Sequence, residues 1–438
     1  MNEVITWLWL IVDACINLFS QPFYYIAIVI IALWFRRQGM LERKLMHVRL
    51  NGWPLLTART VITGVMIGLI VSILYVFLGI QLSVLGVVLI WVTSFILMLF
   101  RVRYLNAVYA ISILGLIQWI LGFFEQWQPG GWIGNIVLEI EHLDISALLV
   151  LSAVLHLIHA LFIRLQHGQA ASPVYFEGKR GKLVGGYQLQ YFTPIPLMLL
   201  VPAGLGSGAN LPWNPALLNG SGEFLLFGLP LLIGFGEMTK SMLPEEKVSL
   251  TSKRMLLYGA VLLILGLISM WWSPAIIVAI LFGFLGHEAL VWISSYEEEN
   301  RSPIYVHPKQ GLQILAVLPE SPAEELGIMP GEVIYKVNGH IVQSQADLHR
   351  CLRMNPAFCK LEIRNINGES KFLQRAIYEG EHHQLGALLA PDPDTGSAIK
   401  ERPVSIYQIF GMKLQTQRKI DPNEGYADAF RQDVNNLK

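Results

Sequence analysis

SPAEELGIMPGEVIYKVNG, residues 321–339, carries a run of local instructions that admit one order of elements: a capped short helix, a turn, a strand and a tight hairpin. Ser321 suits the N-cap, where its hydroxyl can accept a hydrogen bond from a free backbone N–H. Pro322 fits the first turn, where a missing N–H costs nothing. Ala323 to Leu326 leaves room for only a short helix before Gly327 takes left-handed backbone and ends it. Ile328 to Glu332 forms a turn, Val333, Tyr335 and Val337 alternate as a strand, and Asn338-Gly339 sets a two-residue hairpin. Upstream, Leu312, Ile314 and Val317 are spaced like a strand leaving Gly311. Downstream, a helix is expected from about Gln345 to Met354. Phe358, Leu361, Ile363 and Phe372, Leu373 then form two closing strands around Asn367-Gly368.

The ordered set resembles the PDZ consensus of Ser-Pro-Ala, Ala-Gly-Leu, Gly-Asp and Val-Asn-Gly, with Leu326 at the usual alanine and Glu332 at the usual aspartate. The resemblance implies a soluble α+β domain, a small β-barrel or sandwich with two helices, over residues 304–390. Such a domain takes a peptide as an added strand. Gly311, Leu312, Gln313 and Ile314 stand where the carboxylate-binding loop and peptide-pairing strand are expected, since a glycine lets successive N–H groups point at a carboxylate. The helix near 345–354 is expected to form the second wall. Leu348 and Leu352 share a face there and can hold the peptide's last side chain, flanked by His349 and Arg353. The alternative is that the same two leucines seal the domain core, and the sequence leaves both uses open.

Composition divides the chain in two. It has 53% hydrophobic and 15% charged residues with zero formal net charge, but the apolar runs fall before about Tyr296 and the charged sequence after it. Runs of this length place residues 1–296 in a bilayer as an α-helical polytopic domain. Apolar segments lie between Ile5 and Phe35, broken at Gln21-Pro22, and at roughly 60–80, 82–100, 104–124, 146–165, 255–273 and 275–295. A Pro- and Gly-rich segment at roughly 192–206 reads as broken or re-entrant, and another candidate lies near 223–239, giving about eight spans. Residues 297–303 read as a linker whose acid run is a solvated edge, and 391–438 as a polar tail.

Lys and Arg fix the orientation. Arg36, Arg37, Arg43, Lys44, Arg49 and Arg59 fill the first long loop; Arg101 and Arg103, then Arg164 and Lys179 to Lys182, then Lys240 to Arg254, follow on the same side. Loops 125–145 and 207–222 contain neither residue type. Basic loops face the cytoplasm, which puts residues 304–390 there too. No basic, aromatic-interleaved stretch points to nucleic acid. Cys15, Cys351 and Cys359 suggest no disulfide framework, and a cleaved signal peptide is not expected.

No catalytic constellation is complete. His287-Glu288 begins a zinc-protease motif, but Val291 and Trp292 occupy the places where a second histidine would close it. His156 and His159 lie three apart with no glutamate between them, and read as buried polar residues of a helix bundle. Gly206-Ser207-Gly208 and Gly220-Ser221-Gly222 lack the first glycine of a rhomboid-type motif. Gly178-Lys179-Arg180-Gly181-Lys182 lacks the Ser or Thr of a P-loop and suits anionic headgroups. The expectation is therefore a non-enzymatic chain without metal or cofactor. The alternatives are a degenerate or regulatory relative of PDZ-bearing intramembrane metalloproteases and a transporter with an accessory PDZ domain.

The whole arrangement resembles the MinJ-type bacterial division-site topology factors: a basic first loop from Arg36-Arg37 to Arg49, the Pro-rich Phe192-Thr193-Pro194-Ile195-Pro196-Leu197, and the PDZ-like region. That resemblance implies a scaffold at septum and poles of a bacterial cell membrane, linking DivIVA to the MinC–MinD division inhibitor. Membrane lipids are the other expected contact, and self-association stays open.

Overall fold

A computed structural model describes residues 2–46, 50, 52–124, 126–127, 129–165, 171–178, 182–203, 208–211, 213, 215, 223–355, 358–376 and 385–392. Nearly all of the expected tail, together with Lys179–Gly181, Ser207 and Gly220–Gly222, lies outside these residues.

The apolar stretch interrupted at Gln21 forms two helices, α1 (Asn2–Ser20) and α2 (Pro22–Met46), since Pro22 has no N–H with which to continue the α1 ladder. Then come α3 (Trp53–Leu78), α4 (Val84–Phe100), α5 (Ala107–Leu121), α6 (Gly131–His142) in the acidic loop, and α7 (Ile145–Leu165). After a sheet, α8 (Pro244–Trp271) and α9 (Ala275–Leu281) follow; α9 runs through a π-helical turn, Phe282–Gly286, into α10 (His287–Asn300). Among the described residues, Pro22–Met46, Trp53–Leu78, Ile145–Leu165, Pro244–Trp271 and Ala275–Asn300 are long and apolar enough to cross a membrane. Ile5–Ser20, Val84–Phe100 and Ala107–Leu121 are shorter apolar helices.

The two candidate spans at roughly 192–206 and 223–239 are not helices. They are strands of one sheet, β1 (Ser172–Glu177), β2 (Leu183–Pro202) and β3 (Phe224–Thr239), in the order β1-β2-β3 and antiparallel throughout, with Tyr187 opposite Thr239 at the base and Pro202 opposite Phe224 at the tip. At ~3.3 Å per residue, the 16-residue β3 exceeds the ~30 Å of a hydrocarbon core. An open sheet edge among apolar helices must hide its backbone donors, and proline does so here. The Met198 N–H points outward to Ser72 Oγ at 2.8 Å, so even-numbered positions of β2 face away from β3. Pro194, Pro196 and Pro202 share that parity, and none has an N–H to satisfy. Gly64 and Gly68 of α3 lie directly against the Pro194 and Pro196 carbonyl oxygens, where a Cβ has no room. On the other edge, Gly228 O accepts from Gln21 Nε2 at 2.7 Å and Pro230 O from Trp91 Nε1 at 3.2 Å. The hairpin leaves and returns to the same side, so the loop charge alternation survives the change from helices to strands.

The expected linker is also different. Glu297 to Asn300 continue α10, and two of the three acids are paired while Glu299 is exposed. Glu297 meets Arg254 at 2.5 Å. Glu298, nearly buried, accepts from Lys240 N, Ser241 N, Ser241 Oγ and Lys247 Nζ. Lys247 is fully buried and also donates to Ser294 Oγ at 2.8 Å. A charge this deep survives only with such partners. The cluster ties α8, α10 and the base of β3 into one unit.

The C-terminal domain follows directly. Its strands are β4 (Leu312–Val317), β5 (Val333–Val337), β6 (His340–Ile341), β7 (Phe358–Arg364), β8 (Ser370–Ala376) and β9 (Ala387–Leu389). Its helices are α11 (Pro322–Glu325) and α12 (Gln345–Met354). The sheet order is β8-β7-β5-β4-β9, with β6 on β5. Stretch 321–339 folds as its residues dictate. Ser321 Oγ accepts from Glu324 N at 3.4 Å, and Asn338 and Gly339 take positive φ in the β5–β6 turn. The Asn338 side chain does more than turn the chain, bonding Cys351 O and Lys360 N at 2.9 Å each and so linking α12 to β7. Glu332 Oε2 caps the preceding turn by accepting from Met329 N at 2.9 Å, which explains why it can stand in for aspartate.

The two domains share a core. One face of β4 and β9 carries Leu312, Ile314 and Leu389 into the PDZ interior. The other carries Leu315, Ala316 and Leu388 against Met46, Tyr175, Tyr187 and Tyr305. Tyr187 donates to Leu315 O, Tyr175 donates to Leu389 O at 3.1 Å, and Gly185 N donates to Tyr305 O at 2.8 Å. Tyr305 is fully buried within this seam.

Candidate peptide-binding site

A peptide can add to a sheet only where a strand has an unpaired edge, and β4 has none to offer over Gly311–Ile314. Leu312 and Gln313 pair with Ile334 and Val333 of β5 on one side. Ile314 pairs with Leu389 of β9, and Ala390 N donates to Gln313 O at 2.8 Å, on the other. Gly311, at φ +90°, is buried against Val333 and Ile334; Leu312 and Ile314 are core residues, and only Gln313 is half-exposed. These four residues therefore build the centre of the sheet and are not placed to receive a peptide strand. Register explains the difference: which edge is free depends on β9, a three-residue strand that pairs with β4 across the 69 positions from 318 to 386.

The edge strand on this side is β9. It follows Leu385-Gly386, where Gly386 has φ +80° and packs against Ser321, and its outward carbonyl at Leu389 is taken by Tyr175. Leu385 and Leu389 belong to the same core cluster as α12, so helix and edge strand are neighbours across that core.

The helix itself separates two faces. Ser344 caps it, its Oγ accepting from Asp347 N at 3.1 Å, while Gln343 N donates back to the Asp347 carboxylate at 3.4 Å, a capping box. Leu348, Cys351 and Leu352 are buried and seal the core. Both leucines pack in the domain core. The solvent side carries Ala346, His349, Arg350 and Arg353, spaced i, i+3, i+4 and i+7, and these line an open hollow of ≈ 500 Å³. His349 and Arg353, both named from the sequence as flanking the leucines, lie in it; Ala346 and Arg350 complete it. The missed signal was the polar half of the same helical period that marked the leucines.

Charge in the hollow is uneven. Arg350 pairs with Asp347 at 2.6 Å. A hydrogen bond from Ser344, with the Gln343 N–H and Arg350 in support, holds the Asp347 carboxyl below the usual aspartate range, so it stays anionic and occupied. Arg353 and His349 form no ion pair among the described residues. The nearby thiols are inert: Cys351 and Cys359 are free and buried, and burial pushes Cys359 up to about 11.

A second polar group sits among the helices. His156 Nδ1 donates to Ser152 O at 2.7 Å, which leaves its Nε2 facing Asn106 Nδ2 at 3.3 Å. His287 Nε2 approaches the same amide at 3.5 Å, and its Nδ1 meets the Tyr109 hydroxyl at 2.8 Å. Tyr109 donates to Glu288, which is also paired with Arg103 at 2.5 Å. The π-helical turn just before His287 sets this orientation. The arrangement links α5, α7 and α10 by hydrogen bonds. Among the described residues, no three His, Cys, Asp or Glu side chains come together as a metal-binding group.

The fold combines several apolar helices long enough to cross a membrane with a PDZ domain that follows them: residues 313–365 match the PDZ domain family. Over 389 residues the chain is 31% identical to the cell division topological determinant MinJ of Bacillus subtilis (strain 168), covering 87% of this chain and 95% of that protein. It belongs to the MinJ family. The probable cell division topological determinants MinJ of Lacticaseibacillus paracasei and of Lacticaseibacillus casei (strain BD-II) are each 28% identical over 256 residues, 56% of this chain and 66% of the relative.

Proposed function

We propose that this chain is a non-enzymatic scaffold of division-site selection, which holds Min-system and polar or septal proteins at the bacterial cell membrane through a cytoplasmic PDZ domain. The observation that carries this reading is the pairing of an open hollow beside α12 with a domain seated directly on a polytopic base. DivIVA and MinD are the partners to test first. Loop charge supports a cytoplasmic PDZ domain, since every basic loop lies on the side from which α10 emerges. A fluorescent fusion should collect at septa and poles, deletion should give filaments or minicells, and crosslinking through the PDZ domain should capture division proteins. Uniform membrane fluorescence with normal division on deletion would overturn the proposal. Catalysis has a separate test: stoichiometric zinc in purified protein, lost on His287→Ala, would point instead to a metalloprotease relative.

A further inference from the structure

The charge left over in the hollow defines what chemistry it accepts. Asp347 engages Arg350, so the donors available to a ligand are the guanidinium of Arg353 and the ring N–H of His349. Both lie on one face of α12, four residues apart, which separates them by about 6 Å along the helix axis. Alternate residues of an extended chain are about 6.7 Å apart and point to the same side. Ala346 lies one turn before His349, and its small side chain leaves space for a backbone to approach. Leu348 and Leu352 are turned inward, so no large apolar socket remains on this stretch of helix to dominate selection. The hollow is open and shallow, so the spacing of Arg353 and His349 along the helix, matched to alternate residues of an extended chain, is what favours a peptide over a lipid headgroup.

We propose that the hollow takes an extended acidic segment of a partner protein, with carboxylates on alternate residues, one meeting Arg353 and the other His349. This rests on the reading of the domain as a peptide binder and adds the ligand's class and spacing. Arg353 binds its carboxylate by charge-assisted hydrogen bonds, and Arg350 acts mainly to hold Asp347 out of the way.

The test uses the full chain in neutral-lipid nanodiscs and fluorescein-labelled ten-residue peptides: Glu-x-Glu, adjacent Glu-Glu, and the Gln-x-Gln counterpart. Anisotropy should show Glu-x-Glu binding about tenfold tighter than Gln-x-Gln, with adjacent Glu-Glu in between and added salt narrowing the gap. Arg353→Gln and His349→Gln should each reduce the preference while leaving the melting temperature unchanged, and Arg350→Gln should have the smaller effect. Equal binding of acidic and neutral peptides would overturn the charge proposal and leave peptide binding standing. Failure of every peptide to bind would overturn the underlying reading as well. Flotation with vesicles of phosphatidylglycerol in phosphatidylcholine, lost in Arg353→Gln without any peptide preference, would assign the hollow to lipid and reject the peptide.

Discussion

The two sheets of this molecule expose opposite solutions to the same difficulty. In the membrane-domain hairpin, β2 and β3 lie between helices, and their outer edges are covered: prolines remove donors, Ser72 accepts from Met198 N, Gln21 and Trp91 donate to edge carbonyls, and Gly64 and Gly68 let α3 come close. In the PDZ sheet, β4 is enclosed by β5 and β9, while β9 keeps an outer edge and α12 keeps a polar outward face. One sheet has been made unable to recruit another strand, and the other retains the means. Backbone chemistry is identical in both; proline and glycine placement decides the difference.

The contrast can be broken at the buried charges first. Glu298→Ala strips Lys247 of its closest carboxylate in a dry setting and should cost about 3–5 kcal/mol. Removing Glu362 from the partly exposed Lys336–Glu362 pair should cost within about 1 kcal/mol. Thermal unfolding of the two variants in detergent gives the ratio. Gly68→Val should destabilise by about 1–3 kcal/mol or more, because its side chain meets the Pro196 carbonyl; the readout is loss of the monodisperse peak on gel filtration. Pro196→Ala restores an N–H that faces α3 and should cost about 1–3 kcal/mol unless a partner is found. The same assay applied to Pro322→Ala, at the open first turn of α11, should register much less. Tyr187→Phe removes one donor from the seam and should cost about 1 kcal/mol, visible as faster amide exchange in β4 but not in β7. Ser344→Ala, at the α12 cap, should have a similar or smaller effect of about 1 kcal/mol, confined to the helix that lines the hollow.

The PDZ domain was legible because its instructions are local. Pro322, Gly327 and Asn338-Gly339 each fix their own backbone, and the structure places a helix, its end and a hairpin at those positions. The hairpin was not legible as strands. Phe192–Val201 and Phe224–Gly234 are buried or half-buried along their length, so they show the continuous apolar run that a membrane helix also shows, and only their repeated Pro and Gly set them apart. The surroundings of the candidate site were legible in part. The place of His349 on the outer face of α12 follows from the helical period, but the pairing of Gly311–Ile314 on both sides could not be read without knowing where Ala387–Leu389 would pair. The Asn106, His156 and His287 group was invisible for the same reason, its members lying 50 and 131 positions apart in the chain.

The tyrosine seam has a mechanical meaning. With Tyr305 sealed in place, Tyr187 and Tyr175 bonded to adjacent strands, and α10 running unbroken to Asn300, the PDZ domain has no swivel on which to turn. The hollow beside α12 therefore keeps one orientation toward the helices and the β1–β3 sheet. Under the proposed scaffold role, the apolar helices would act as a mount with a fixed bearing, giving a captured protein a direction along with an address.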